Sequence, residues 1–152
     1  MTPPWVLALV IATQFAVMQI GDTSKPTCYL KFEAIHYSTS VKRNLGTDAV
    51  KMNVKSICNS PQRESRLTAS IHVLTKGESK IFYKSRPVRN APNGNNAYEV
   101  IFLEFWRSCT KGEVLLLRGE GHGAAFLKNN REVRLSDNTG EFTPVLCDFP
   151  AK

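Results

Sequence analysis

The stretch Ala49–Cys58, AVKMNVKSIC, decides the fold. Val50, Met52, Val54, Ser56 and Cys58 share one parity; Lys51, Asn53 and Lys55 share the other. Successive side chains of a strand point to opposite faces, so this period predicts a strand with one buried and one wet face. Its last buried-parity residue is a cysteine, which places a crosslink at the end of the apolar face.

Upstream, Cys28–Tyr37 (CYLKFEAIHY) repeats the pattern. Cys28, Leu30, Phe32 and Ala34 share a parity opposite Lys31 and Glu33, with Tyr29 and Tyr37 on the parity of Lys31. The polar segment Ser38–Asp48, with Gly46, is expected to be a loop. If the two strands pair antiparallel, Cys28 at the start of one lies near Cys58 at the end of the other. Cross-strand Cβ atoms sit ~4.5–5.5 Å apart, close to disulfide geometry, so register and parity agree on a Cys28–Cys58 bond.

Downstream, Asn59–Ser65 is a turn cluster with Pro61. Arg66–Thr75 alternates, with Leu67, Ala69, Ile71 and Val73 inward and Thr68, Ser70 and His72 outward. Lys80–Ser85 reads as a short strand, and Pro87, Pro92 and Asn93–Asn96 as a long loop. Tyr98–Trp106 (YEVIFLEFW) has two readings. Asn96 and Glu99 resemble a helix capping pair. The β-branched and aromatic content of the run favours a strand covered on both sides. Val114–Leu117 is a further strand, Val133–Leu135 a short one in a turn-rich segment, and Glu141–Cys147 closes the domain. Cys109 precedes one strand and Cys147 ends another, which favours Cys109–Cys147 at one end of a hairpin. The competing pairing, Cys58–Cys109 with Cys28–Cys147, would form an inter-sheet pin. It lacks the buried tryptophan that usually accompanies one. Six to eight short strands with Gly and Pro turns predict an all-β fold. The expected architecture is a small two-sheet antiparallel β-sandwich, immunoglobulin-like in general form, with two disulfides.

Trp5–Ile20 is apolar and uncharged, and shorter than the ~20 residues that span a bilayer. It has the length of a signal-peptide core. The domain plan is a signal peptide over 1–21, a linker over 22–27 and a single secreted domain over 28–152. An uncleaved membrane anchor is the alternative. Four cysteines in a small exported domain argue for two disulfides rather than a redox or zinc site, since no CxxC spacing occurs.

The residues that follow also resemble a group of small secreted actinobacterial β-rich proteins of unknown function. The likeness is carried by C-x-L at Cys28–Leu30, HYST at His36–Thr39 and V-K-x-x-C ending at Cys58. It continues with C-x-x-G at Cys109–Gly112, RGEGHGAA at Arg118–Ala125 and T-P-x-x-C at Thr143–Cys147. The resemblance implies a secreted β-rich domain and brings no catalytic residues with it.

The net charge is +7, from 20 Lys and Arg against 13 Asp and Glu, and no Lys or Arg precedes Lys25. Such a domain favours anionic partners: an acidic glycan, a lipid surface or an acidic protein. The plainer reading of the charge is solubility, because it is not concentrated in one block. Lys51 and Lys55, with Lys31 of the partner strand, form the candidate anion-binding face; Glu33, diagonal to the strand-mate lysines, is the carboxylate expected to neutralise them if the face is merely solvated. Catalytic chemistry has no motif here: His36, His72 and His122 lack metal-ligand spacing, and no G-x-S-x-G elbow occurs. Gly119, Gly121 and Gly123 do not form a dinucleotide fingerprint and read as a bulge or sharp twist, with close approach to a ligand as the other use. No cofactor, metal or nucleic-acid motif is read. The expected function is a secreted, disulfide-stabilised, non-catalytic binding domain for an anionic surface or envelope component. The alternatives are a small secreted hydrolase, in which His36 or His122 would meet a carboxylate, and a membrane-anchored accessory protein.

Overall fold

The computed structural model describes residues 25–150. The expected leader over 1–21 lies outside the described residues, as does the first half of the expected linker, residues 22–24. The described chain is a two-sheet antiparallel β-sandwich with ten strands and one short helix: β1 (Cys28–Phe32), β2 (His36–Tyr37), α1 (Thr39–Leu45), β3 (Ala49–Cys58), β4 (Gln62–Thr75), β5 (Glu78–Lys84), β6 (Val88–Asn90), β7 (Glu99–Ser108), β8 (Val114–Leu127), β9 (Glu132–Asn138) and β10 (Thr143–Leu146).

In the first sheet, β3 lies at the centre, with β1 and β2 along one edge and β7 along the other. In the second, β4 and β8 form the middle; β5 and β6 flank β4, and β9 and β10 flank β8. The period of two in AVKMNVKSIC has the expected outcome: Val50, Met52, Val54, Ser56 and Cys58 are all buried. They meet Leu67, Ala69, Ile71 and Leu117 of the second sheet, with Phe102 and Phe105 of β7 closing the core. Burying side chains of this size contributes ~1.5–3 kcal/mol each before the entropy of ordering them.

Both expected disulfides are present, Cys28–Cys58 and Cys109–Cys147, and no cysteine is free. Cys28 and Cys58 are direct register partners. The second bond is not at the end of a hairpin as expected. Cys109 continues β7, its N–H donating to Asp48 O, so it belongs to the first sheet. Cys147 continues β10, its N–H donating to Glu113 O, so it belongs to the second. The bond therefore ties the two sheets together.

Several boundaries differ from the sequence-based expectation. The strand expected over Cys28–Tyr37 breaks after Phe32 and changes phase, burying Ile35 and Tyr37 and exposing Ala34. Tyr37 thus leaves the face of Lys31. The expected loop Ser38–Asp48 contains α1, capped by Ser38 Oγ accepting from Val41 N at 3.2 Å and by Gly46 at φ +70°. Only Val41 of this helix is buried, so no helical periodicity announces it. Tyr98–Trp106 is strand, the expected form, but one face is open rather than covered: Ile101 and Leu103 are 37% and 51% exposed. The short strands expected around Val114 and Val133 extend to the full β8 and β9, and β6 lies inside the expected loop.

The three alternating glycines explain the length of β8. The β4–β8 register runs unbroken from Glu64↔Phe126 to Val73↔Leu117, so they mark no bulge there. They occupy inward positions; a methyl has no room at Gly119 and Gly123 and would sit tightly against Leu30 at Gly121. A Cβ on Gly119 would overlap Met52 Sδ of the opposite sheet, and one on Gly123 would overlap the Arg66 carbonyl of the neighbouring strand. Gly123→Ala is expected to cost ~1–3 kcal/mol, because a paired backbone cannot move aside. Gly119→Ala should cost less, since the end of Met52 can swing. Urea midpoints of the two variants rank them; equal losses would refute this account of the glycines.

Candidate binding face

The outer face of the first sheet carries the expected anion-binding lysines. Pairing of β1 with β3 sets Lys31 directly opposite Lys55. On the far edge, β7 sets Ile101 opposite Lys55 and Trp106 opposite Lys51, while β2 sets His36 opposite Lys51. The three lysines therefore share one face, as parity requires. Tyr29 is 58% exposed on the same face.

The neutralising partner is not the expected one. Glu33 accepts from Asn53 Nδ2 at 2.9 Å instead of engaging a lysine. Glu99 of β7 pairs with Lys55 at 3.2 Å. Lys31 and Lys51 have no carboxylate at ion-pair distance among the described residues. The apolar residues Ile101, Leu103 and Trp106 join the face because β7, read in sequence as doubly covered, is an edge strand of the first sheet, touched on its outer side by Asn90, which donates to Ile101 O at 3.0 Å. Ile101 and Leu103 share a parity, while Trp106 reaches the same face only through the shift in the β3–β7 register, so the alternation of the run does not show the three together.

The β7 edge is irregular where β3 runs from Met52 to Val54. There Leu103 and Glu104 oppose the single residue Asn53, which is the count of a bulge. Glu104 secures it, accepting from Leu103 N at 2.8 Å and from Asn90 Nδ2 of β6 at 2.8 Å.

The histidines are placed as follows. The His36 ring donates from Nδ1 to Ala34 O at 2.8 Å. His122 is exposed, and no hydrogen bond or ion pair to a carboxylate is formed by its ring among the described residues. His72, expected to be solvated, lies 3.3 Å from Ser70 Oγ and 3.5 Å from Glu120 Oε2, both through Nε2. A Ser–His–carboxylate relay uses opposite ring nitrogens, so this arrangement does not activate Ser70. No group of three metal-ligating side chains occurs among the described residues, and no helix there is long and apolar enough to cross a membrane.

Below the lysine face, at the helix end of the sandwich, sequence reading missed a polar cluster. Tyr37 Oη donates to Asp48 Oδ1 at 2.6 Å, and Lys42 of α1 reaches the same oxygen at 3.3 Å. The Tyr37 ring also packs 5.3 Å from that of Phe149. Burial, and then the Asp48 carboxylate, push the Tyr37 hydroxyl up to about 12. The hydrogen bond from Tyr37, aided by Lys42, holds Asp48 below its ordinary range. The raised group stabilises the fold fully below the unfolded phenol value of ~10, and that contribution is lost as pH rises toward 12. Asp48 acts in the opposite sense: its contribution is present at neutral pH and lost as acid protonates the folded carboxylate. Stability of the wild type is therefore expected to fall more steeply between pH 10 and 12 than that of Tyr37→Phe. Urea unfolding across that window measures it; parallel curves would refute the role of Tyr37.

No family model matches the chain, and no curated protein matches it. Among solved structures it is similar to the solution structure of a late embryogenesis abundant (LEA) protein. The two are 8% identical with a TM-score of 0.42, over 90% of this chain and 83% of that one.

Proposed function

We propose that this protein is an exported, non-catalytic binding domain that engages an anionic envelope surface through the outer face of β1, β3 and β7. The observation that carries this reading is the opposed pair Lys31 and Lys55, set among exposed Tyr29, Ile101 and Leu103. Like charges directly across a strand pair repel, and one carboxylate, Glu99, serves this pair. An anion docked between the lysines relieves the repulsion, and the apolar neighbours suit the boundary of a lipid headgroup layer. Export is supported by the uncharged apolar segment Trp5–Ile20 and by the two disulfides, which fit an oxidising compartment.

The test is cosedimentation with phosphatidylglycerol vesicles over a range of salt, with phosphatidylcholine vesicles as control. A lysine near an anionic surface is worth ~1 kcal/mol, so Lys31→Ser/Lys51→Ser/Lys55→Ser is expected to weaken binding about a hundredfold. Glu99→Gln should strengthen it, and salt should abolish the difference. Equal binding by the wild type and the triple variant would overturn this reading. Sequencing the N-terminus of the extracellular form tests export separately.

A further inference from the structure

The geometry points to a second, smaller site on the opposite side of the molecule: a basin on the outer face of the second sheet that binds a sugar-sized oxyanion, a phosphate or sulfate ester. It goes beyond the vesicle-binding face and shares no residue with it.

The site follows from register across four strands. Arg89 of β6 pairs with Arg66 of β4, Arg66 with Ala124 of β8, and Ala124 with Arg134 of β9. One row across the sheet thus reads Arg, Arg, Ala, Arg. The next row reads Thr68, His122 and Ser136. Ala124 is the small residue between two arginines. Strands lie ~4.8 Å apart, so the Cα atoms of Arg66 and Arg134 are ~10 Å apart across it, a span two guanidinium groups can close around one tetrahedral anion. Ala124 faces outward yet is only 9% exposed, so its neighbours form walls over it. Those walls enclose an open cavity of about 300 Å³, the lower end of the size of small-molecule sites. Its floor is apolar, with Phe126 beside Ala124; two guanidinium groups come from Arg66 and Arg134, an imidazole from His122 and a hydroxyl from Thr68.

The arginines differ in what already holds them. Arg66 stacks over the Phe126 ring at 4.7 Å and lies 3.5 Å from Glu64. Arg89 also pairs with Glu64, at 2.9 Å. Arg66 is thus held in position, while Arg134 has no carboxylate at ion-pair distance among the described residues. Glu132 is the one acidic side chain that lines the cavity. An apolar floor with a fixed arginine, a second arginine that has no ion-pair partner among the described residues and a threonine hydroxyl matches a sugar ring that carries one oxyanion. Guanidinium forks bind phosphate and sulfate through paired, charge-assisted hydrogen bonds. The glycines of RGEGHGAA serve this arrangement indirectly, since Gly123 lets β4 and β8 pair closely enough to set Arg66 beside Ala124.

The experiment is amide-resolved NMR titration of the full disulfide-bonded chain at fixed pH and ionic strength. The probes are glucose 6-phosphate, glucose 6-sulfate and neutral glucose. The expected result is saturable shifts at Thr68, His122, Ala124 and Arg134 with at least one charged sugar and none with glucose. Tighter binding of the phosphate or of the sulfate identifies which ester the site selects. Arg134→Ala is expected to weaken binding at least tenfold, Arg134→Lys less, and Glu132→Gln to strengthen it. Arg134 is exposed and has no ion-pair partner among the described residues, so its variants should melt with the wild type, which keeps the comparison clean. Absence of saturable shifts, equal shifts with glucose, or unchanged affinity in Arg134→Ala each overturns the site. Lys31→Ser/Lys51→Ser/Lys55→Ser should retain sugar binding, so failure at one face does not imply failure at the other.

Discussion

Removing the inter-sheet bond with Cys109→Ser/Cys147→Ser is expected to lower stability by about 4 kcal/mol, and by more than Cys28→Ser/Cys58→Ser does. The cysteines are separated by 38 and 30 residues, and chain entropy gives both bonds nearly the same value, ~4 kcal/mol. The structure breaks the tie. Cys28 and Cys58 sit within a register that β1 and β3 hold with their own hydrogen bonds. Cys109 and Cys147 belong to different sheets, and Cys147 is fully buried at the end of β10. Its loss frees β10, including buried Val145, as well as the chain-entropy constraint. Urea unfolding of the two double variants checks the order. Equal midpoints would mean that the bond between sheets acts only on the unfolded chain. Before either experiment, thiol titration of the denatured, unreduced protein should find no free cysteine.

Gln62→Leu is expected to cost about 3 kcal/mol. Gln62 begins β4 where the chain crosses from the first sheet to the second, and its side chain is fully buried. Its Nε2 donates to Ser56 O and Tyr98 O, both at 2.9 Å. Its Oε1 accepts from Ser65 Oγ at 2.6 Å and Ser56 Oγ at 3.1 Å. One amide thus joins β3, β4 and the residue preceding β7. Each lost bond is worth ~1 kcal/mol net, and a hydroxyl left without an acceptor in the core adds to the loss. Leucine's apolar surface offsets part of this. Adding Ser56→Ala and Ser65→Ala to Gln62→Leu should recover stability, because removing both partners abolishes the unsatisfied donors. If the triple variant is less stable than Gln62→Leu alone, the network is not what holds this corner.

This glutamine shows where sequence reading stops. Asn59–Ser65 looks like a turn cluster, and nothing local tells a buried Gln62 from an exposed one. Its role depends on Ser56 and Tyr98 arriving from other strands. The same limit applies to Lys55. Parity placed it outward and the Cys28–Cys58 register placed Lys31 opposite. Its partner Glu99 stands on β7, 44 residues away in sequence, so Glu33 was the visible candidate and the wrong one.

Residues 49–58 carry in themselves the strand, its buried face and its terminal cysteine, because alternation is a property of neighbouring residues on an extended backbone. The clean alternation of Arg66–Thr75 and the two-sheet class follow from the same local rule. So does the Cys28–Cys58 bond, which needs only two amphipathic strands and a connection that returns the chain antiparallel. The tertiary structure alone decided the rest. It showed that Cys109–Cys147 spans the sheets, that β8 runs through its glycines because Met52 and the Arg66 backbone take the space, and that one face of β7 stays open. It also gathered Arg66, Ala124 and Arg134 from three strands into one row. These features depend on which strands become neighbours, and that choice is made by packing two sheets around a common core rather than by any segment's own pattern.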